Sequence, residues 1–260
     1  MEIQLTGKRI LVTGSSSGIG AAIAEHMGAA GARVAANYRS SEEGAEDTVK
    51  KIVDAGGEAF KVQADISDAT AVEKMFAEID SRWGGIDVLI NNAGIDGERL
   101  KSWEIGARDW KNVIDINLVG TFYCSQQALK RMVPAESGVI LNISSVHEEI
   151  AWSGHSAYTA SKAGISMMMK SMAQEASPHG VRVLAVAPGA IRTPINEQVW
   201  SDPERLKDLK SKIPMNRIGE TDEVARLVVV LVSEVGSYVT GETIFIDGGM
   251  TDYPSFAHGG

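Results

Sequence analysis

The sequence predicts a doubly wound α/β fold, a parallel sheet of about seven strands with helices on both faces. Three observations point to it. Short β-branched or apolar runs alternate with longer amphipathic segments along the chain. Each helical segment joins one strand to the next, and repeated strand–helix–strand order requires parallel pairing, because each crossover helix packs back on the sheet. A glycine-rich turn stands directly between the first strand and the first helix.

Strands are expected at 9–13, 33–37, 59–63, 88–91, 139–143, 181–187 and 243–246. Helices are expected at 19–30, 42–55, 69–83, 109–132, 157–176 and 222–232, with Gly56-Gly57 and Gly84-Gly85 ending the second and third. No linker, repeat or low-complexity tract interrupts them, so residues 1–260 read as one domain with a substantial core. Residues 188–208 are less regular, and a mobile flap on the substrate side is expected near 188–215.

Hydrophobic residues at 44% and charged residues at 23% exclude a disordered or fibrous chain. A formal charge of −9 argues against a broad nucleic-acid or anionic-membrane surface. Cys124, the single cysteine, lies among apolar neighbours and reads as a buried structural thiol. The N-terminus lacks a signal-peptide layout and no apolar stretch approaches the roughly 18 residues of a spanning helix, so a cytoplasmic protein is expected.

The first strand runs into Thr13-Gly14-Ser15-Ser16-Ser17-Gly18-Ile19-Gly20 and then into a helix. Glycines permit a tight turn and a close backbone approach, and a helix start offers free N–H groups and a positive dipole end to a pyrophosphate. Gly14, Ser16, Ser17, Gly18, Ile19 and Gly20 are therefore candidate cofactor residues. The gap between the first two glycines departs from G-x-G-x-x-G, and such a turn also serves as a plain strand-to-helix connection. Ligands of doubly wound sheets sit at the carboxyl ends of the strands, where further site residues are to be sought.

This TGxxxGIG turn resembles the cofactor loop of the classical short-chain dehydrogenase/reductase family, and that family's other motifs follow in the same order along nearly the whole chain. Asp65 resembles the acidic residue that binds the adenine amino group, and Asn91-Asn92-Ala93-Gly94 resembles the turn beside the cofactor. Asn117, Ser145, Tyr158 and Lys162 match the catalytic set, and Pro188-Gly189-Ala190-Ile191-Arg192-Thr193 matches the nicotinamide-side segment. The resemblance implies a Rossmann-type fold and NADP or NAD as cofactor. It also implies cofactor contacts at Asp65, Ile66, Asn91, Ala93, Gly94, Tyr158, Lys162, Pro188, Gly189, Ile191 and Thr193.

Tyr158 and Lys162 are four apart in a helical pattern, so their side chains share a face. Taken alone, that spacing also fits a buried tyrosine and an unrelated lysine. Ser145, at the end of an apolar strand, adds a hydroxyl that can face the same crevice. Removing a hydride from an alcohol carbon requires a base for the hydroxyl proton; a free tyrosine, with a pKa of about 10, is a poor one unless a nearby ammonium favours its phenolate. The resemblance implies that Tyr158 is the acid/base, that Lys162 lowers its pKa and holds the nicotinamide ribose, that Ser145 bonds the reacting oxygen, and that Asn117 holds a water between Lys162 and solvent. Ser144 is expected to point the other way, since strand side chains alternate.

Residues 146–155 should rim the crevice. Within the family, Ser144-Ser145-Val146-His147-Glu148, residues 188–196, Ile213-Pro214-Met215 and the stretch from Asp247 to Phe256 resemble the bacillus-type glucose 1-dehydrogenases. That implies an aldose oxidised at C1 to a lactone, with Ser145, His147, Asp96 and Asn196 as substrate residues and Glu98 and Glu148 as further polar partners. The stretches Ile95-Asp96-Gly97-Glu98-Arg99 and Ala151-Trp152-Ser153-Gly154-His155 depart from that pattern. A carbonyl reductase or polyol dehydrogenase with the same Ser-Tyr-Lys group is the alternative. A non-catalytic dinucleotide-binding regulator is a third reading, favoured by loss of the Tyr or Lys, and both are present. No cluster has metal-ligand spacing, so no metal is expected, and Met167-Met168-Met169 reads as core or interface packing.

After the second strand comes Asn37-Tyr38-Arg39-Ser40, with no carboxylate to accept from a ribose 2′-hydroxyl. Tyr38, Arg39 and Ser40 join the cofactor set; Arg39 can pair with a 2′-phosphate while Ser40 or Ser41 donates to it, unless Arg39 is a plain surface charge. Dual use is expected, with NADP accepted well. At the other end, Tyr253 and Phe256 beside Pro254 are apolar anchors, packed either on their own subunit or on another. The resemblance implies a homotetramer of D2 symmetry with the tail 250–260 at a subunit contact.

Overall fold

In the computed structural model, which describes residues 3–252, every strand expected from the sequence joins one parallel sheet. Its strands are β1 (Arg9–Val12), β2 (Arg33–Tyr38), β3 (Glu58–Gln63), β4 (Val88–Asn91), β5 (Gly138–Ile143) and β6 (Val181–Pro188). Two short strands, β7 (Ile191–Arg192) and β8 (Gly219–Glu220), pair with each other, and β9 (Thr243–Ile246) completes the sheet. The order is β3-β2-β1-β4-β5-β6-β9. The chain leaves β1 toward β2 on one side and β4 toward β5 on the other, so the switch in strand order falls between β1 and β4.

The helices are α1 (Gly18–Ala29), α2 (Glu42–Asp54), α3 (Ala69–Trp83), α4 (Ala107–Ile114), α5 (Gly120–Met132), α6 (Ser156–Ala176), α7 (Glu197–Trp200), α8 (Pro203–Ser211) and α9 (Thr221–Val232). Alternation along each strand divides the core in two. Ile10, Val12, Ile90, Leu141 and Leu184 pack with Ile23 and Met27 of α1, Ile52 of α2 and Val224 and Val228 of α9. Their neighbours Leu11, Leu89, Ile140 and Val183 pack on the opposite face with Phe76 and Ile79 of α3, Cys124 of α5 and Met169 and Met172 of α6. Cys124 is fully buried there, and burial pushes its thiol up to about 12. Of the methionine run, Met169 is core, Met168 packs against that core and Met167 is exposed.

Two expectations need revision, and a third falls on residues that are not described. The helix expected at 109–132 is not one regular helix: α4 and α5 are joined by a π-helical turn at Asp115–Val119, which carries Asn117 inward. A single widened turn leaves the apolar periodicity on either side almost intact, which is why the pattern concealed it. The stretch expected to be irregular holds α7 and α8. Asp202 caps α8 by accepting from the Glu204 and Arg205 backbone N–H groups at 3.0 and 3.2 Å, and Pro203 opens it. That Asp-Pro start was the available signal. The β7–β8 pairing of Ile191 with Gly219 and Arg192 with Glu220 closes the excursion at both ends. Lastly, Tyr253, Pro254 and Phe256, the proposed interface anchors, lie outside the described residues.

Among the described residues no helix is long and apolar enough to cross a membrane. The core assignment gives a direct expectation. Phe76 is wholly buried, with the Arg131 guanidinium 5.0 Å from its ring, so Phe76→Ala should lower unfolding stability by about 3–5 kcal/mol. Val53 is half exposed, and Val53→Ala should change stability by no more than about 0.5 kcal/mol. Denaturant titration of the two variants checks the contrast.

Candidate active site

At the switch point the ends of β1 and β4 are locked together by side chains. Thr13 Oγ1 accepts from the backbone N–H groups of Asn92 and Ala93 at 3.0 and 3.1 Å. Asn92 Nδ2 donates to the carbonyls of Thr13 and Gly14 at 3.0 and 2.9 Å. A Cβ on Gly20 would lie 2.3 Å from Asn92 Nδ2 and from the Gly14 carbonyl oxygen, so no larger residue fits there. From the β2 side, Asn37 Oδ1 accepts from the Gly14 N–H at 3.2 Å while Nδ2 donates to Val62 and Ala64 carbonyls. Asn37 and Asn92 were not among the expected site residues, although Asn92 stood in a quoted motif. No side chain caps the first turn of α1 among the described residues, which leaves its amides and dipole facing outward.

This loop opens on a cleft of about 1320 Å³. The cleft brings together Gly14, Ser16, Ser17, Gly18, Ile19, Gly20, Arg39, Ser40, Asp65, Ile66, Ala93 and Gly94 with Ser145, Tyr158, Lys162, Pro188, Gly189, Ile191 and Thr193. Asp96, His147 and Asn196 line it too; Ser144 borders it, with its Oγ buried and without a hydrogen-bond partner among the described residues. Three expected residues do not line it. Asn91 shares a strand face with Leu89, so it turns toward α5 and donates to Ser125 Oγ and Asn142 Oδ1, both at 2.9 Å. Tyr38 lies on the α2 side of β2, where burial and the nearby Glu42 raise its phenol's pKa. Asn117 is buried behind the cleft: its amide donates to the Ile95 carbonyl at 2.7 Å and to Ser161 Oγ at 3.1 Å, and accepts from the Ile95 N–H at 2.8 Å. Both of its amide hydrogens are committed, so it clamps the segment after β4 to α6.

Ser145 follows β5, and Tyr158 and Lys162 stand one turn apart on α6. Lys162 Nζ donates to the Ile143 carbonyl at 2.9 Å and lies 5.5 Å from the Tyr158 ring centroid. Gly94 leaves room for Asn117, whose Oδ1 a Cβ there would meet at 3.2 Å. Burial lowers the Lys162 ammonium to about 8, against an opposing pull from Glu148. Burial also raises the Tyr158 phenol; hydrogen bonding with Ser145 works the other way and Asp96 adds to the rise. The expected lowering of Tyr158 by Lys162 is therefore not the direction found, because desolvation of the phenolate prevails.

At the far end of the cleft Trp152 stacks against His147 at 4.5 Å and His155 at 3.8 Å between ring centroids. Two nearly parallel rings that close cannot share one indole face, so they sandwich it. The indole edge points at Tyr158 from 5.8 Å. His147 Nδ1 is bonded to the Ile150 carbonyl at 2.9 Å, and burial lowers its pKa, which keeps the ring neutral. Asn196 spends its side chain on a capping box with Thr193 and on the Ile191 carbonyl. Glu148 turns out of the cleft onto Ser166 Oγ at 2.9 Å. The arrangement offers an anion-binding helix start at one end, a Ser-Tyr-Lys group in the middle, with Ser145 and Lys162 buried and Tyr158 half-buried, and an aromatic wall beyond it.

A family described as enoyl-(acyl carrier protein) reductase matches residues 14–251. The chain is 46% identical to 3β-hydroxysteroid dehydrogenase 1 of Eggerthella lenta over 256 residues, 98% of both proteins. It is 44% identical to glucose 1-dehydrogenase 2 of Bacillus subtilis over 252 residues, 96% of this chain and 97% of that one. Its fold matches a gluconate 5-dehydrogenase of Burkholderia cenocepacia, solved in complex with NADP and tartrate, with a TM-score of 0.91 at 32% identity, covering 96% of this chain and 98% of that one. With the phosphate loop, the Ser-Tyr-Lys group and the seven-stranded sheet in place, these likenesses over nearly its full length show that the chain belongs to the short-chain dehydrogenase/reductase family of oxidoreductases.

Proposed function

We propose that this oxidoreductase uses NADP or NAD to oxidise a ring carbon bearing a hydroxyl, an aldose at C1 first among its substrates, with a lactone as product. The observation that carries the reading is the convergence of Ser145, Tyr158 and Lys162 on one cleft with the glycine loop. The 44% identity with a glucose 1-dehydrogenase supports the sugar. Gly14 and Gly20, where a Cβ would collide with Ala93 and Asn92, keep the loop tight against β4 and leave the uncapped start of α1 to the cleft, which fits a dinucleotide pyrophosphate. Asp65 would face the adenine, and Arg39 and Ser40 the ribose edge. When bound, the nicotinamide supplies the hydride acceptor or donor.

The chain's own part is proton transfer and orientation. Tyr158 takes the hydroxyl proton during oxidation and returns it during reduction. Ser145 fixes the reacting oxygen, and the Lys162 ammonium favours the phenolate form and holds the ribose. A second reading, an apolar cyclic alcohol or ketone, is favoured by two observations. Asn196 and Glu148 are already committed to the protein, which leaves Asp96 and His147 as the polar substrate groups. The 46% identity is to a hydroxysteroid dehydrogenase. A homotetramer in the cytoplasm belongs to the same proposal on family likeness.

Tyr158→Phe should fold and bind cofactor while losing roughly 10²–10⁴-fold in turnover. Following reduced-nicotinamide absorbance with glucose, other aldoses, polyols and 3β-hydroxysteroids tests both that loss and the substrate. Near-normal turnover of the variant would sink the mechanism, and inertness toward every aldose beside good steroid turnover would move the assignment to the second reading.

Because burial raises Tyr158 above its ordinary value of 10.0, only a small phenolate fraction serves as base at neutral pH. Oxidation should therefore accelerate as pH rises from neutral into the alkaline range, whereas carbonyl reduction, which uses the phenol, should not. Initial rates in both directions across that range check the sign.

Arg39 is exposed at the end of β2 and makes no ion pair among the described residues. Arg39→Ala should weaken NADP binding much more than NAD binding, measured by cofactor fluorescence titration. Equal losses would remove its proposed role.

A further inference from the structure

Glu148 was expected to face a sugar, yet its surroundings tie it to the catalytic helix. It ends the short helical turn Val146–Glu148 that begins just after Ser145. One carboxylate oxygen, Oε1, accepts from Ser166 Oγ at 2.9 Å, and Ser166 lies one turn beyond Lys162 on α6. The other oxygen, Oε2, is buried with no hydrogen-bond partner among the described residues. An unpartnered buried carboxylate oxygen is unfavourable unless a nearby cation compensates it. Lys162 stands one turn before Ser166 on the same face of α6, which places it on the side of the helix that Glu148 contacts, and Glu148 is the acidic group that acts on its charge.

We propose that Glu148 is a positioning residue for the Tyr158–Lys162 pair: through Ser166 it holds the Ser145 turn against α6, and its unpaired oxygen supplies the negative charge that keeps Lys162 an ammonium. This rests on the reading of Tyr158 and Lys162 as the proton-transfer pair. The other titratable groups facing the pair are His147, whose ring is 6.2 Å from that of Tyr158, and Asp96, which acts on Tyr158 from the segment after β4. The π-helical turn contributes only the neutral Asn117, and β5 only the Ile143 carbonyl.

The roles separate by substitution. Glu148→Gln removes the charge and keeps the shape, Glu148→Asp keeps the charge at shorter reach, and Ser166→Ala removes the tether alone. The Lys162 titration is read by NMR on isotope-labelled lysine, its resonance assigned by its absence from Lys162→Arg. In Glu148→Gln the midpoint should fall from about 8 by about one pH unit. It should stay near its original place in Glu148→Asp and Ser166→Ala, while Ser166→Ala lowers kcat more than it changes KM. Glu148→Ala gives the same titration test if the Gln variant does not fold. An unmoved midpoint in the charge-removing variant overturns the proposal, as does an equal drop in Ser166→Ala. The titration needs no turnover, so a protein inert toward every substrate would refute the proposed function while leaving this result to stand or fall separately.

Discussion

The site depends on one close approach, the backbone of the glycine loop against the end of β4. Asn92 and Ala93 donate hydrogen bonds to Thr13 and Gly14 across the switch point at 2.9–3.1 Å, and Gly20 leaves room for them because it has no side chain. These bonds satisfy backbone groups that two diverging strands would otherwise leave unpaired in a buried place. They also aim the start of α1 into the cleft. Asn37 performs the matching task from β2, so the loop is gripped from both flanking strands. Both faces of the sheet must be packed for those strand ends to stay in register, which ties the phosphate loop to the apolar layers beneath it.

A second set of brackets surrounds the proton-transfer group. Asn117 joins the segment after β4 to α6 from one side, Glu148 joins the Ser145 turn to α6 from the other, and the Lys162 amine hangs from the end of β5. The tyrosine is thus held, half-buried, by groups that do not themselves react. Burial has an electrostatic consequence: it disfavours both the phenolate and the ammonium, so the pair's charge states depend on the few polar groups near it. The π-helical turn is what brings Asn117 deep enough to serve as one bracket.

Much of this was legible in the sequence, for identifiable reasons. Strand and helix order followed from apolar periodicity, and Gly14, Gly18 and Gly20 were readable because only glycine tolerates their setting; Gly14 and Gly18 have φ of +63° and +57°. Ser145, Tyr158 and Lys162 were readable from spacing and resemblance, and all three line one cleft. What the sequence concealed is orientation. Asn91 and Asn92 are indistinguishable as letters, yet the parity of Leu89 sends the first toward α5 and the second toward the loop. Asn196 and Glu148 looked like substrate ligands, and only the folded chain reveals that backbone and Ser166 have already claimed them.

Cys124 carries a practical meaning beyond packing. Its sulfur is sealed between α5 and the sheet, and with the thiolate suppressed until about pH 12 it has neither the access nor the ionisation that alkylation and oxidation require. The native thiol therefore needs no reductant to stay reduced on storage. A cysteine introduced on the rim of the cleft would be the one reactive thiol of the folded protein, so a spectroscopic label could be placed there without first removing the native residue.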